Sequence, residues 1–495
     1  MFNKKLSISN HGLFVAVRFF AEFISRVSSL ITFPVFARYL GTEGYGVNAQ
    51  VNTLISFLVP VVSLGLGYGV VRVVAGKTDR SYISSRFKST ILVIFLTSAL
   101  CSLLIILAAS WINQNFIKVD GAEEIVIWSA PLVILSSLES SLKDFFRARL
   151  RIVAFSVFQI IQTALYVAAV CLVLISGYGL LQVIWAWLVV KLIFLLFSAG
   201  YLFYVKDIDL RSPFIPFDEL SQLIQYGIPL MIGGLGSWFI QLGDRWIIGY
   251  YMDAAQVGIY NAAYTLAAVI SALGSPFWSP LYPLMAAAFN KNESETLKRT
   301  CRLYMNAYCF LGFPAFFGLC VLSNDLITGI GTRSFSSNPL IFFFIAGGIL
   351  ADQITTVGYY LSYILEKTKF VRNLMLGTAF LNLIINLLLV PHIGILGAAL
   401  ATFLAYICMD IVFIVYIRKF GYRLSEVYDL KFMCKSLLLS IFMAGIVIAS
   451  KFILPSMLAS TFAIIAIGAA FYGLTAFLFM KQPILDLIGL RNKVD

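Results

Sequence analysis

Arg18, Glu22 and Arg26 stand four residues apart inside an apolar run that extends over about 13–38. Four residues advance an α-helix by about 400°, so the three side chains spread over only about 80° of its circumference, in a stripe roughly 12 Å long. That spacing lets Glu22 pair with either arginine. A charge at the centre of a bilayer costs roughly 2.5–3.5 kcal/mol on insertion scales, so the stripe must face protein or water. Guanidinium forks match phosphate oxygens, and the chemistry offered is recognition of an anion. A structural ion network that closes a helix bundle is the competing reading. Lys191 lies between Val-Val and Leu-Ile-Phe with no acid within a helical turn, too deep to snorkel easily. It supplies a further cation, with a buried pairing to Glu139 as the structural alternative. Glu139, Lys143 and Asp144 occupy the inner half of the fourth apolar run, about 125–146; Lys143 and Asp144 either join the same cavity or reach the headgroups.

Other acids sit where lipid should exclude them. Asp352 and Asp410 fall inside apolar runs; they are candidates for carrying a coupling ion, H+ or Na+, with a helix–helix hydrogen bond as the plainer role of Asp410. Asp244-Arg245 closes another span and reads as a gate pair rather than a substrate contact. Arg147, Arg149 and Arg151 alternate around a helix end, as ordinary surface anchors do. Pro229 with Gly233, Gly234 and Gly236 provides a bend, as do Pro60 and Pro131. The seven cysteines form no CxxC and the only histidines are His11 and His392. Neither a disulfide framework nor a metal site is expected, and no residue set reads as catalytic or as a cofactor site.

The elements that must position these groups follow from composition. Of the 495 residues, 60% are hydrophobic and only 12% charged, with a mean hydropathy of +0.91. A soluble chain of this size needs more polar residues to cover its surface. The apolar residues recur in runs of about 20, the length a helix needs to cross hydrocarbon. Fourteen spans result: 13–38, 47–71, 89–110, 125–146, 153–176, 180–204, 222–250, 256–288, 301–322, 339–364, 371–390, 394–417, 433–453 and 458–480. Pro276, Pro280 and Pro283 threaten to break the eighth. The first run is longer than a signal peptide's apolar centre and carries charges, so it reads as a retained helix.

With both termini in the cytoplasm, 27 of the 36 Lys and Arg fall on cytoplasmic ends and loops. Five fall outside: Arg38, Lys118, Arg245, Arg333 and Lys451. That asymmetry fixes the orientation. The net charge of +12 belongs to loops facing anionic lipid, not to a nucleic-acid partner. The loops are too short to fold alone, so function must reside in the bundle.

The chain also repeats itself. At a constant offset of 212, Tyr39 meets Tyr251, Gly46 meets Gly258, Thr53 meets Thr265 and Leu54 meets Leu266. Gly179-Leu-Leu and Gly394-Ile-Leu echo one another before the sixth and twelfth spans. The implied organisation is all-α and polytopic, with two six-helix lobes and two added helices. The N-lobe (helices 1–6) covers 1–216 and the C-lobe (helices 7–12) covers 217–432. Helices 13–14 and a short cytoplasmic tail cover 433–495. Parallel repeats of this kind suit alternating access.

The segment Pro34-Val-Phe-Ala-Arg-Tyr-Leu-Gly-Thr-Glu-Gly-Tyr-Gly46 resembles the multidrug/oligosaccharidyl-lipid/polysaccharide exporter superfamily. So do Leu64-Gly65-Leu66-Gly67 with Arg72, and Asp244-Arg245 before Val257-Gly258-Ile-Tyr260. The stretch Asn382 to Ala399, with Asn386, Pro391, Gly394 and Gly397, is similar to the span 11–12 hairpin of polysaccharide-repeat-unit (Wzx-type, O-antigen) flippases. The resemblance implies a MATE-like fold around a central cavity. It implies export of undecaprenyl-pyrophosphate-linked oligosaccharide across a bacterial inner membrane; the negative charge of a pyrophosphodiester makes the membrane potential one driving force and an H+ or Na+ gradient the other candidate. Membrane lipids, a polysaccharide polymerase and chain-length proteins are the implied partners. The substrate-binding set on this reading is Arg18, Glu22, Arg26, Glu139, Lys143 and Lys191. A drug or organic-cation antiporter and a peptidoglycan-precursor (lipid II) flippase are the alternatives within the fold. A membrane polymerase or ligase would need a sizeable outer loop with paired catalytic groups, which this sequence lacks.

Overall fold

The structure is a computed structural model that describes residues 21, 24–25, 28–209, 211–419, 421–454 and 458–488. Every long element among them is helical. They are α1 (28–39), α2 (Gly41–Val62), α3 (Leu66–Val74), α4 (Arg80–Leu107), α5 (Ala122–Ala148), α6 (Ile152–Ile175), α7 (Leu180–Tyr204) and α8 (Phe217–Leu242). There follow α9 (Asp244–Tyr251), α10 (Ala254–Asn290), α11 (Ser294–Ile330), α12 (Pro339–Ile364), α13 (Thr368–Ile393), α14 (Ile395–Lys419), α15 (Leu430–Ile453) and α16 (Leu458–Ile488). Thirteen described helices are long and apolar enough to cross a membrane, matching in order the second to fourteenth expected spans. The first expected span lies partly outside the described residues, which include 28–38 of it. Pro276, Pro280 and Pro283 do not interrupt α10, which runs unbroken for 37 residues.

α4 shows why the helices form and which way they face. Leu92, Leu96, Leu100, Leu103 and Leu107 are exposed at helical spacing, whereas Ser98 and Ser102 are buried. This is the reverse of a water-soluble helix: lipid takes the leucines, and small residues let helices approach. Ser98 returns its hydroxyl to the Ile94 carbonyl (2.6 Å), and Ser102 donates to the Ala130 carbonyl on α5 (2.8 Å). No buried hydroxyl of α4 at these two sites is wasted, which matters where water is absent. Asp79 starts the helix by accepting from the Ser81 amide at 2.9 Å.

The chain divides into two compact units, Met1–Gly258 and Ile259–Asp495. In the first, α5 is central and packs against α2, α3, α4 and α7, with α6 on α7 and α3 on α8. Phe87 and Phe145 (4.1 Å between centroids) and the stacked Phe146–Tyr201 pair fill its core. In the second, α14 packs on α12 and α13, and α11 on α15. There the buried Asn382 donates to Thr402 (3.2 Å) and Asn386 to the Asn382 carbonyl (2.9 Å), which ties α13 to α14.

Candidate functional site

α2 stops where Leu64 and Gly65 both take positive φ (49° and 68°) and turn the chain into α3. Gly65 is required twice: for that conformation, and because its backbone lies directly on the backbone of Gly227 in α8, so that a Cβ on either would overlap the other. Gly67 likewise faces the Asp144 carboxylate, and a Cβ on Gly69 would come to 3.0 Å from Leu223. Three glycines therefore let α3 sink between α5 and α8. Arg72 at its far end lies over the Tyr226 ring, 4.3 Å from the centroid.

A cavity of about 250 Å³ opens beside this crossing. Val59 and Pro60 of α2, Ser63 just after it, Met231 and Gly234 of α8, and Ser140, Ser141, Lys143, Asp144 and Arg147 of α5 line it. Asp144 and Arg147 are paired at 3.0 Å, with about half of the Arg147 side chain accessible. Lys143 is exposed and has no ion pair among the described residues. The wall thus carries two cations against one carboxylate, with hydroxyls alongside. That arrangement can hold an anion.

The other expected site residues divide sharply. Arg18, Glu22 and Arg26 lie outside the described residues. Lys191 is only 7% exposed, and its Nζ donates to Glu139 Oε2 at 2.6 Å. Gln162 donates to the same oxygen (3.2 Å), and the Trp187 ring centroid is 5.5 Å from the ammonium. The structural alternative for Lys191 is therefore the arrangement present. Asp244 and Arg245 pair with each other (2.7 Å), both nearly inaccessible, and Arg245 also donates to the Gln241 carbonyl. Asp410 accepts from Thr355 across α14–α12, and Asp352 accepts from Gln353 (3.3 Å), which in turn accepts from Trp278 (2.8 Å). Among the described residues no group of three or more potential metal ligands comes together.

Arg149 and Arg151 do more than anchor a helix end. Both bind the buried Asp207, and Arg149 also donates to the Lys77 carbonyl at 2.9 Å. Nothing in the sequence around Asp207 points to its two arginine partners, so only the fold reveals it. Arg147 is different: it stands four residues after Lys143 and so on the same face of α5, a signal the sequence does contain.

A family model described as "Polysaccharide biosynthesis protein" matches residues 35–337. A probable low-salt glycan biosynthesis flippase, Agl15 of Haloferax volcanii, is 24% identical over 392 residues, 79% of each chain. Among solved structures, the lipid II flippase MurJ in an inward closed conformation superposes with a TM-score of 0.77 at 15% identity, covering 94% of this chain and 99% of its own. An inward-facing MATE family multidrug resistance transporter of the MOP superfamily gives 0.69 at 13% identity, covering 82% and 97%. These likenesses show the fold.

Proposed function

We propose, from the fact that this chain belongs to the polysaccharide biosynthesis protein family, that it is a flippase for polyprenyl-pyrophosphate-linked oligosaccharide. The O-antigen, capsule or exopolysaccharide repeat unit crosses from the cytoplasmic to the outer leaflet of a bacterial inner membrane, and both termini of the chain are cytoplasmic. The relative named as a glycan biosynthesis flippase supports this reading.

The observation that carries it is the cavity wall of Lys143, Arg147, Ser140 and Ser141. Lys143 and Arg147 receive the pyrophosphate, together with Arg18 and Arg26 of the first span. Lys191, neutralised by Glu139, holds α7 to α5 and takes no part in binding. At about 250 Å³ the cavity is smaller than the roughly 300–1,000 Å³ that encloses drug-sized ligands, so an oligosaccharide head enters only when the helices part. A pyrophosphodiester carries about two negative charges, each worth about 2.3 kcal/mol per 100 mV, so outward movement is downhill with the cytoplasm negative. Asp352 and Asp410 couple the return step to H+ or Na+. A polymerase and chain-length proteins act on the delivered unit.

Reconstitution in liposomes tests the assignment. Lipid-linked oligosaccharide should reach the far leaflet while a cationic dye is retained; dye export without lipid movement overturns it in favour of an organic-cation antiporter.

A further inference from the structure

Beside the polar cavity, the first unit carries a second one of opposite chemistry. It measures about 330 Å³, and among the described residues no charged side chain lines it. Six aromatic rings wall it: Phe57 of α2, Trp238 and Phe239 of α8, Trp246 of α9, and Trp111 and Phe116 of the segment 109–117 that follows α4. The rings brace one another from separate elements. Phe57 lies 4.8 Å from Trp238, and Phe116 lies 5.5 Å from Trp111 and 4.7 Å from Trp246, centroid to centroid. Tryptophan at a membrane surface commonly keeps its polar edge at headgroup level. Trp238 instead donates its N–H across to Ser56 Oγ on α2 at 2.9 Å, which leaves the ring as wall. Trp111 keeps 60% of its surface accessible, so the cup is open on that side.

The two cavities share one seam. α2 passes the cup at Leu54 and Phe57 and then the polar cavity at Val59 and Pro60. α8 meets them in the opposite order, the cavity at Met231 and Gly234 and the cup at Trp238 and Phe239. Phe57 to Pro60 and Gly234 to Trp238 are each about one helical turn, roughly 5 Å of rise. A cationic cavity and an aromatic cup one turn apart between the same two helices fit one class of ligand, an anionic amphiphile. We infer that the cup seats the first isoprene units of the lipid whose pyrophosphate meets Lys143 and Arg147. This rests on the flippase reading given above and adds to it a place where the tail is recognised. Size agrees. An apolar cavity of about 150 Å³ takes benzene, so roughly twice that volume takes on the order of a dozen carbons, or two isoprene units. Shape agrees too, because flat, methyl-branched alkenes lie against aromatic faces and have fewer torsions to freeze than a saturated chain. So does direction. With both termini cytoplasmic, α2 runs inward, and the cup lies on the outer side of the cavity. A lipid of the cytoplasmic leaflet has its head inward and its tail toward the midplane, the same sense.

The test uses full-length protein in phosphatidylcholine nanodiscs with farnesyl pyrophosphate, an analogue whose last isoprene unit is replaced by benzophenone, inorganic pyrophosphate and phosphatidylglycerol. Light should fix the benzophenone analogue to the segment 109–117 or between Trp238 and Trp246. Farnesyl pyrophosphate should displace it, and an equimolar amount of phosphatidylglycerol should not. Trp111→Ala removes a wall and Leu54→Trp fills the cup; each should weaken farnesyl pyrophosphate binding roughly tenfold and leave inorganic pyrophosphate binding unchanged. Lys143→Ala should weaken both. Adducts elsewhere, equal displacement by phosphatidylglycerol, or wild-type affinity in both cup variants overturns the inference and leaves the flippase reading standing, since pyrophosphate is still recognised. Adducts in the cup that ignore both inorganic pyrophosphate and Lys143→Ala overturn the anion half, and with it the flippase reading on which the inference stands. The adducts are read on the wild-type chain, so the outcome holds whether or not the variants fold.

Discussion

Glu139→Gln is the perturbation that separates a structural Lys191 from a substrate-binding one. Gln preserves the shape of the glutamate and its contact with Gln162, but leaves the Lys191 ammonium almost inaccessible and without a counter-charge. Removing one partner of a buried ion pair costs about 3–5 kcal/mol. The Glu139 side chain retains 22% of its accessible surface, so the lower end, about 3 kcal/mol, applies, roughly a hundredfold in an equilibrium constant. Lys191→Met should cost less, because a lone Glu139 keeps Gln162 and some solvent. Lys191→Met with Glu139→Gln replaces the pair by groups of similar volume, which is often neutral. The double variant should therefore regain most of the thermal midpoint lost by Glu139→Gln, measured by fluorescence-detected size exclusion. It should also regain translocation of lipid-linked oligosaccharide. If the double variant is stable but does not translocate, the Lys191 charge contacts substrate and the structural reading of the pair is wrong.

Three further outcomes follow from the same geometry. Lys143→Ala and Arg147→Ala should each cut translocation at least tenfold, about 1.4 kcal/mol of binding or barrier, with thermal midpoints close to wild type; unaltered transport in both removes the cavity from the mechanism. Asp207→Asn should destabilise the first unit by about 3 kcal/mol, because two guanidinium groups lose one buried carboxylate, and a midpoint unchanged by the substitution would place that cluster outside the fold's stability. Asp410→Asn keeps an acceptor for Thr355 and so should leave folding intact while abolishing the response of transport to a collapsed ion gradient; a full response in the variant assigns coupling elsewhere.

The bilayer makes some of this architecture readable and hides the rest. Thirteen spans were legible because each must present about 20 apolar residues whatever its neighbours are, so the signal is local. Partners are not local. Lys191 and Glu139 are far apart in sequence, and nothing along either helix says that one oxygen will take both Lys191 and Gln162; only the packing of α7 on α5 decides it. The glycines mark an intermediate case. Gly46 and Gly258 are visible as a repeated identity, yet a repeat specifies resemblance between two segments and is silent on contact between them. What turns resemblance into contact is the pairing of equivalent carbonyls over equivalent glycines, which requires both helices to begin at the same height and to cross there. A repeated segment meets that condition without new residues wherever it is self-complementary. The Gly65–Gly227 contact has no such twin and needs residues of its own: the turn at Leu64–Gly65 and the notch at Gly227. The polar cavity lies beside that contact, where the 212-residue offset pairs unlike residues.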